Sequence, residues 1–403
     1  MKILYLVYFD LFDTSSIGIR KKVLWQFKAM EKQGFEMELA YRKEDKLIFI
    51  NTAEVVLKEY NISGLWYRSS IYKALKILLS HNVYDVVYIR TPGFVDPAFY
   101  KTLKLFKRRG IDVYLEMPTY PIGKEYITYC KQLFKNKKIK RLVFQIIGGL
   151  IHKLLSRRIK RFVSYIVTFM SYKKIWGIDV IEIENGVTIE DIPIVTKSIE
   201  RITNAADNLV LLGVANVDVW HGYDRVLHGL ANYYQSDQRS NLKNIKFYIV
   251  GEGREIENLK LLRSKLSLEE NVCFYGMRSG KELDNLFDEA DLGISSLGMH
   301  RIGVLQGSTL KTKEYCARGI PFVYAYNEKQ IPEDFTYALK IPHYEEALNI
   351  NTVMNFLERI AELPIEETLR KFAEDNFTWE KQMSIVASKI RERKLDESLN
   401  GGL

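Results

Sequence analysis

Two hydrophobic periods alternate along the chain. Short, largely apolar, β-rich runs at 83–90 and 111–116 predict strands buried on both faces, and 2–7 and 35–41 are strand-like as well. Between them, apolar residues recur every three or four positions at 19–33 and 99–109, predicting helices stopped at Gly34 and Gly110. Basic helical segments follow, then strands near 164–169 and 180–183, and a polar stretch at 188–207 reads as a linker. The alternation then restarts. Strands are predicted at 209–214, 245–250, 271–275, 292–295 and 321–324, with helices at 223–234, 255–266, 280–290 and 308–318. Such βα alternation implies an α/β protein with two Rossmann-like, doubly wound domains facing each other across a cleft. No internal repeat is visible.

With 403 residues, 47% of them hydrophobic, the chain has material for two cores. Three scattered cysteines fit neither a disulfide framework nor a zinc site and favour a reducing compartment. The first eleven residues read as a strand, without the basic start and cleavage site of a signal peptide. No apolar run is long enough to span a bilayer, so a cytoplasmic protein is expected. The net charge of +9 points to an anionic partner. Much of the excess lies at 131–174, where basic clusters flank an apolar stripe from Leu142 to Leu155, interrupted by Gly148 and Gly149. Two readings stand side by side. Through 131–165 the chain could lie on an anionic membrane surface, peripheral at the inner face of the plasma membrane. Alternatively, this is a core-facing helix with a solvated basic face.

The most informative motif runs from Gln306 through Gly307, Ser308, Thr309, Leu310 and Lys311 to Glu314, closed by Gly319 and Pro321. Ser308 or Thr309 is expected to cap a helix whose free N–H groups and dipole form an anion site. Glu314, on the buried side of that helix, shares a face with Gly307, Leu310 and Lys311 and is placed to accept from a sugar diol. Gly251 and Gly253 form a strand-to-helix turn that lets a ligand approach the backbone, but Ile256 replaces the third glycine of a dinucleotide fingerprint. Arg225 opens another helix after Trp220, His221 and Gly222. Glu116 ends a predicted strand, where a doubly wound sheet binds ligands. Gly18 and Arg20 open the first helix and offer a further anion contact. No metal-ligand spacing or nucleophile motif occurs.

Together these pieces resemble the retaining GT-B glycosyltransferases of family 4 type, over nearly the whole chain and most strongly from Glu184 to Tyr326. Asn185-Gly186-Val187, Gly251-Glu252-Gly253, Asn271 to Gly276, Ala290 to Gly293 and Glu314 to Pro321 come in that family's order and spacing. The resemblance implies an N-terminal acceptor domain (1–190), a C-terminal nucleotide-sugar domain (191–380), and a closing helix from 381 that returns to the first domain before a flexible tail. Glu314 matches the family's ribose-binding glutamate. Gln306 stands in place of that motif's first Glu, and Ala215 and His221 replace the usual Arg and Lys. Gly307, Ser308 and Thr309 would hold the diphosphate through backbone N–H groups, with Arg225, Arg301 or, preferably, Lys311 as the neutralising cation. Gly276 and Met277 would border the base, and Glu116 matches a position near the transferred sugar, making Glu116 and Gln306 the catalytic candidates.

The resemblance further implies metal-independent transfer from a UDP- or GDP-linked sugar, without a separate cofactor, to a lipid-linked glycan acceptor in capsule or exopolysaccharide synthesis. Two rivals share the fold. One is a catalytically silent GT-B homologue that stabilises a partner subunit. The other is a nucleotide-sugar epimerase, which needs a carboxylate–histidine cluster that the sequence lacks. Nucleic-acid binding has only the net charge behind it.

Overall fold

The computed structural model describes the chain except residues 14–16, 63, 65–66, 119, 121–129, 131–133, 135–136, 197–207, 236–242 and 401–403. It divides into two compact units, Met1–Glu184 with Trp379–Leu403, and Asn185–Thr378. The first change of unit falls a few residues before the expected 190. Part of the linker reading, at 197–207, lies outside the described residues.

In unit 1 the parallel centre of the sheet comes from β1 (Lys2–Asp10), β2 (Glu36–Lys43), β5 (Val86–Arg90), β6 (Asp112–Met117), β7 (Tyr165–Thr168) and β9 (Ile178–Glu182). An antiparallel edge of β3 (Lys46–Ile50) and β4 (Val56–Asn61) extends it on one side, and β8 (Lys174–Ile175) on the other, in the order β4-β3-β2-β1-β5-β6-β7-β9-β8. Sequence periodicity missed that first edge, because β4 alternates only between exposed and half-buried positions. Helices α1 (Ile17–Lys32), α2 (Tyr67–His81) and α3 (Pro97–Arg108) cover the sheet. Asp96 caps α3 through the Phe99 N–H, with Pro97 at its first position, where no donor is needed. The fourth helix, α4 (Ile139–Ser156), runs unbroken through Gly148 and Gly149.

Unit 2 holds β10 (Asn208–Val214), β11 (Asn244–Val250), β12 (Val272–Gly276), β13 (Leu292–Ile294), β15 (Phe322–Tyr324) and β17 (Ala338–Lys340), all parallel, in the order β12-β11-β10-β13-β15-β17. A separate pair joins β14 (Gln306–Gly307) to β16 (Asn327–Glu328). Among the described residues six helices surround them: α5 (Tyr223–Gln235), α6 (Ile256–Lys265), α7 (Lys281–Glu289), α8 (Leu310–Arg318), α9 (Ile350–Ile360) and α10 (Ile365–Asn376).

The chain then re-enters unit 1 as α11 (Trp379–Asn400), two residues before the expected start. Trp379, Met383, Val386, Ala387 and Ile390 bury completely in the core that α1 shares with one sheet face. Arg393 and Lys394 close on Asp112 at 2.9 and 2.7 Å.

Candidate functional site

In unit 2, β13 leads through a 3-10 turn (Met299–Ile302) to β14 and then α8. Pairing of Gly307 with Glu328 places a buried carboxylate against the start of α8. Glu328 Oε2 accepts from the Thr309 N–H at 3.1 Å, Thr312 Oγ1 at 3.0 Å and Tyr326 OH at 3.2 Å, while Oε1 takes Lys313 Nζ at 2.8 Å. This corrects the expected diphosphate cradle. One of its three N–H groups, that of Thr309, is already donated to the chain's own carboxylate. The capping expectation changes too. Thr309 occupies the cap position without a side-chain capping bond, and its hydroxyl pairs with Tyr326 OH at 2.7 Å. Ser308 Oγ is buried with no hydrogen-bond partner among the described residues, and the Ser308 carbonyl accepts Asn185 Nδ2 at 2.8 Å. The Asn185 motif and the α8 motif therefore meet in space.

Glu314 has 30% of its side chain exposed, rather than lying buried, and its Oε1 receives Arg318 Nε at 3.1 Å. Arg318 also bonds Asp284 and lies over the Phe287 ring, so the far end of α8 is fixed. Leu310 is exposed on the first turn. Lys311 Nζ donates to Ser296 Oγ at 3.2 Å, and burial pushes the Lys311 pKa down to about 7.

His221 faces that lysine. Burial first, then the Lys311 charge, push the His221 pKa down to about 2, so its ring is neutral. Because Nδ1 accepts the Asp218 N–H at 2.9 Å, the ring proton sits on Nε2. The Leu297 N–H donates to the His221 carbonyl at 2.9 Å, holding this turn beside Ser296. A lysine, a neutral imidazole and a serine hydroxyl thus cluster near the start of α8.

Arg225 is corrected as a diphosphate cation. Its guanidinium donates to the carbonyls of Glu346 at 2.6 Å, Leu297 at 2.5 Å and Pro342 at 3.1 Å, clamping three loop positions. Arg301 is held by Asp224 at 2.7 Å and by Glu345, whose carboxyl it pulls down to about 2. Lys311 is left as the cation of the cluster.

Gly251 and Gly253 are required, but by the fold. Their φ angles are +119° and +156°, and a Cβ would stand 1.9 Å from the Ala215 carbonyl oxygen or 2.0 Å from that of Val217. Neighbouring chain, instead of a ligand, fills the space that these glycines keep open. Gly276 caps β12 with its carbonyl bonded to the Gly251 N–H at 2.7 Å, and Met277 beside it is 61% exposed. Gln306 is exposed on β14. Around Gly307 an added Cβ would meet only ordinary contacts, the nearest at 3.6 Å.

In unit 1, Glu116 on β6 is fully buried and pairs in register with Arg90 on β5. Its Oε2 also accepts from Tyr88 OH at 2.8 Å and Gln26 Nε2 at 3.0 Å, while the Tyr5 hydroxyl, 3.5 Å away, donates to Gln26 Oε1 at 2.8 Å. Burial pushes its pKa up, but Arg90, Lys22, Tyr88 and Gln26 together hold it below the usual carboxylate range. Lys22 is buried beside it, 3.4 Å from the Phe169 ring, with a pKa lowered to about 7 by burial and partly restored by Glu116. Glu116 is a fully buried core anion bonded by Arg90, Tyr88 and Gln26, which corrects its reading as a catalytic group. Lys22 belongs to the α1 opening read as an anion contact, and the anion it meets is Glu116; Arg90 and Gln26 carry no motif shared with it and were not found. Gly18 lies in the first turn of α1, and Arg20 stacks on the Phe12 ring at 5.0 Å. Among the described residues no three His, Cys, Asp or Glu side chains group as metal ligands.

Residues 195–335 match the family of glycosyl transferases group 1. No curated protein matches the chain. Similar solved structures include a glycosyltransferase from Rickettsia africae, at 14% identity and a TM-score of 0.62 over 97% of this chain and 98% of that one. Sucrose-phosphate synthase from Thermosynechococcus elongatus aligns at 14% identity and 0.61, over 99% and 100%. The catalytic domain of starch synthase IV from Arabidopsis thaliana, bound to ADP and acarbose, aligns at 10% and 0.62, over 98% and 99%. The chain has the GT-B fold of two Rossmann-like domains, and the family match in unit 2 supports a glycosyltransferase.

Proposed function

We propose that the protein is a retaining glycosyltransferase whose nucleotide-sugar donor sits at the start of α8. The carrying observation is the cluster of Lys311, Ser296 and neutral His221 beside that helix start, within the segment that matches the family. Lys311 neutralises the diphosphate, aided by the His221 Nε2–H and the free N–H groups of the first helical turn. Ser308 Oγ supplies one more donor, and Glu314 accepts from the ribose hydroxyls. Gln306 hydrogen-bonds the sugar, and Gly276 with Met277 borders the base.

As the glycosidic bond breaks, negative charge grows on the departing diphosphate. Fixed cations and N–H dipoles stabilise that charge more than the ground state, each well-placed donor lowering the barrier by about 3 kcal/mol. An acceptor hydroxyl then attacks from the same face and passes its proton to the departing diphosphate oxygen, so the chemistry needs no metal or covalent nucleophile. The acceptor we assign is a lipid-linked glycan of a surface polysaccharide, bound by unit 1, with the enzyme working in the cytoplasm at the inner face of the plasma membrane. ADP in the starch synthase structure supports a nucleoside diphosphate as the ligand class.

A thermal-shift titration with UDP, GDP, ADP and CDP, in the absence of metal, tests the donor site. One nucleotide at about 100 times its Kd should stabilise the fold by about 2.7 kcal/mol, and Glu314→Ala should abolish the shift. No shift with any of the four would sink the donor site.

A further inference from the structure

The surface of α4 is unlike that of any other helix among the described residues. Ile139, Val143, Ile146, Ile147, Leu150 and Leu154 recur every three to four residues, and each has between 47% and 65% of its surface exposed. Phe144 widens the stripe at 65% exposed. The opposite side of the helix holds it to unit 1. There His152 Nδ1 accepts the Val95 N–H at 3.0 Å, the His152 ring packs on Phe94 and Trp176, Leu155 joins the core and Ser156 is buried. The helix is thus anchored by one face while its apolar face meets solvent, a combination that marks an interaction surface.

Charge identifies what covers it. Residues 126–178 contain thirteen lysines and arginines and no acidic residue. All nine basic residues between 137 and 161 are exposed. Four of them, Lys137, Lys138, Lys140 and Arg141, crowd the positive end of α4, where cations are unfavourable unless an anion compensates. A second copy of the chain would bring equally cationic faces together, so self-association through this surface is opposed. Nor does the helix span a bilayer. At about 27 Å it has the length, but Lys140, Arg141 and Lys153 lie within it. No helix among the described residues is long and apolar enough to cross.

We infer that α4 is a membrane-surface anchor that lies in the plane of an anionic bilayer, its apolar stripe among the acyl chains and its basic flanks on the headgroups. This inference is independent of the donor chemistry in unit 2. It specifies how the protein would reach a lipid-linked acceptor.

The test is co-sedimentation of the full chain with phosphatidylcholine vesicles, plain or with about one third phosphatidylglycerol. Wild-type protein should bind the anionic vesicles at least about tenfold better than the neutral ones, and raised salt should release it. Phe144→Glu/Ile147→Glu/Leu150→Glu should lose this binding, and Lys140→Glu/Arg141→Glu should weaken it. Both variants change exposed side chains, so their far-UV circular dichroism and nucleotide shift should match wild type. Equal binding to neutral vesicles, unimpaired binding by the triple variant, or no binding would overturn the inference. A wild-type dimer that the triple variant dissociates would overturn it as well, assigning the stripe to a second copy. The nucleotide shift separates a failed membrane anchor from a failed donor site.

Discussion

Each unit carries a lysine whose pKa is lowered to about 7 by desolvation, Lys22 buried and Lys311 half-buried, and the two have different surroundings. In unit 1, Lys22 lies beside Glu116, whose carboxylate already serves Arg90, Tyr88 and Gln26. In unit 2, Lys311 bonds one serine hydroxyl, and the ring facing it is a neutral histidine. Glu116 is fully buried with three donors bonded to it, whereas Lys311 has no carboxylate bonded to it among the described residues. The contrast shows that a polar group at a functional-looking place in the topology must be judged by whether its bonds are already used. By that standard the first site is structural, and the second is the one we propose for the donor.

Removing Glu116 should have the largest effect. Glu116→Ala leaves Arg90 buried without its counter-charge and should destabilise unit 1 by about 3–5 kcal/mol, measured by urea unfolding. Near-wild-type stability with lost transfer would reverse the assignment. Glu314→Ala should show the opposite pattern. Its ion pair with Arg318 is part-exposed, so the stability cost should stay within about 1 kcal/mol while nucleotide affinity falls at least about tenfold.

Sequence legibility divides along the same line. The apolar runs of β1, β5, β6, β10 and β11 announced themselves, because strands buried on both faces need no polar alternation. The α8 helix and its stop at Gly319 were legible, since a left-handed glycine stop is local chemistry, whereas the expected side-chain cap at Ser308 or Thr309 does not form. What partners a side chain finds was not legible. Arg225 meets carbonyls at 297, 342 and 346, and Glu328 reaches the Thr309 N–H only because β14 pairs with β16. Gly251 and Gly253 looked like ligand glycines, and only the approach of residues 215 and 217 reveals their packing role.

The two lysines should also separate by pH. A diphosphate favours charged Lys311, so binding takes up a proton above pH 7. Affinity should fall by up to about tenfold per pH unit between about 7.5 and 9, and Lys311→Met should be weaker and flat over that range in calorimetric titrations. For Lys22 the readout is stability. Its pKa is depressed on folding, so the unfolded chain binds more protons between pH 7 and 10.5, and stability rises with pH there. The wild-type minus Lys22→Met stability difference should therefore climb by up to about 1.4 kcal/mol per pH unit from about pH 7 to 9.5. A difference independent of pH would place the Lys22 ammonium in contact with water.

The smallest expected stability effect is at Gly307. An added methyl meets only ordinary contacts there, so Gly307→Ala should change stability by less than about 1 kcal/mol. Any larger loss in nucleotide affinity would then belong to the ligand's approach.

Hydrogen exchange followed by mass spectrometry, with and without the nucleotide that gives the thermal shift, locates the ligand directly. The expected result is slowed exchange in peptides covering 218–222, 295–298 and 306–314, and unchanged exchange in 112–117. Protection centred on 112–117, or none near the start of α8, would contradict the assignment of the donor to unit 2.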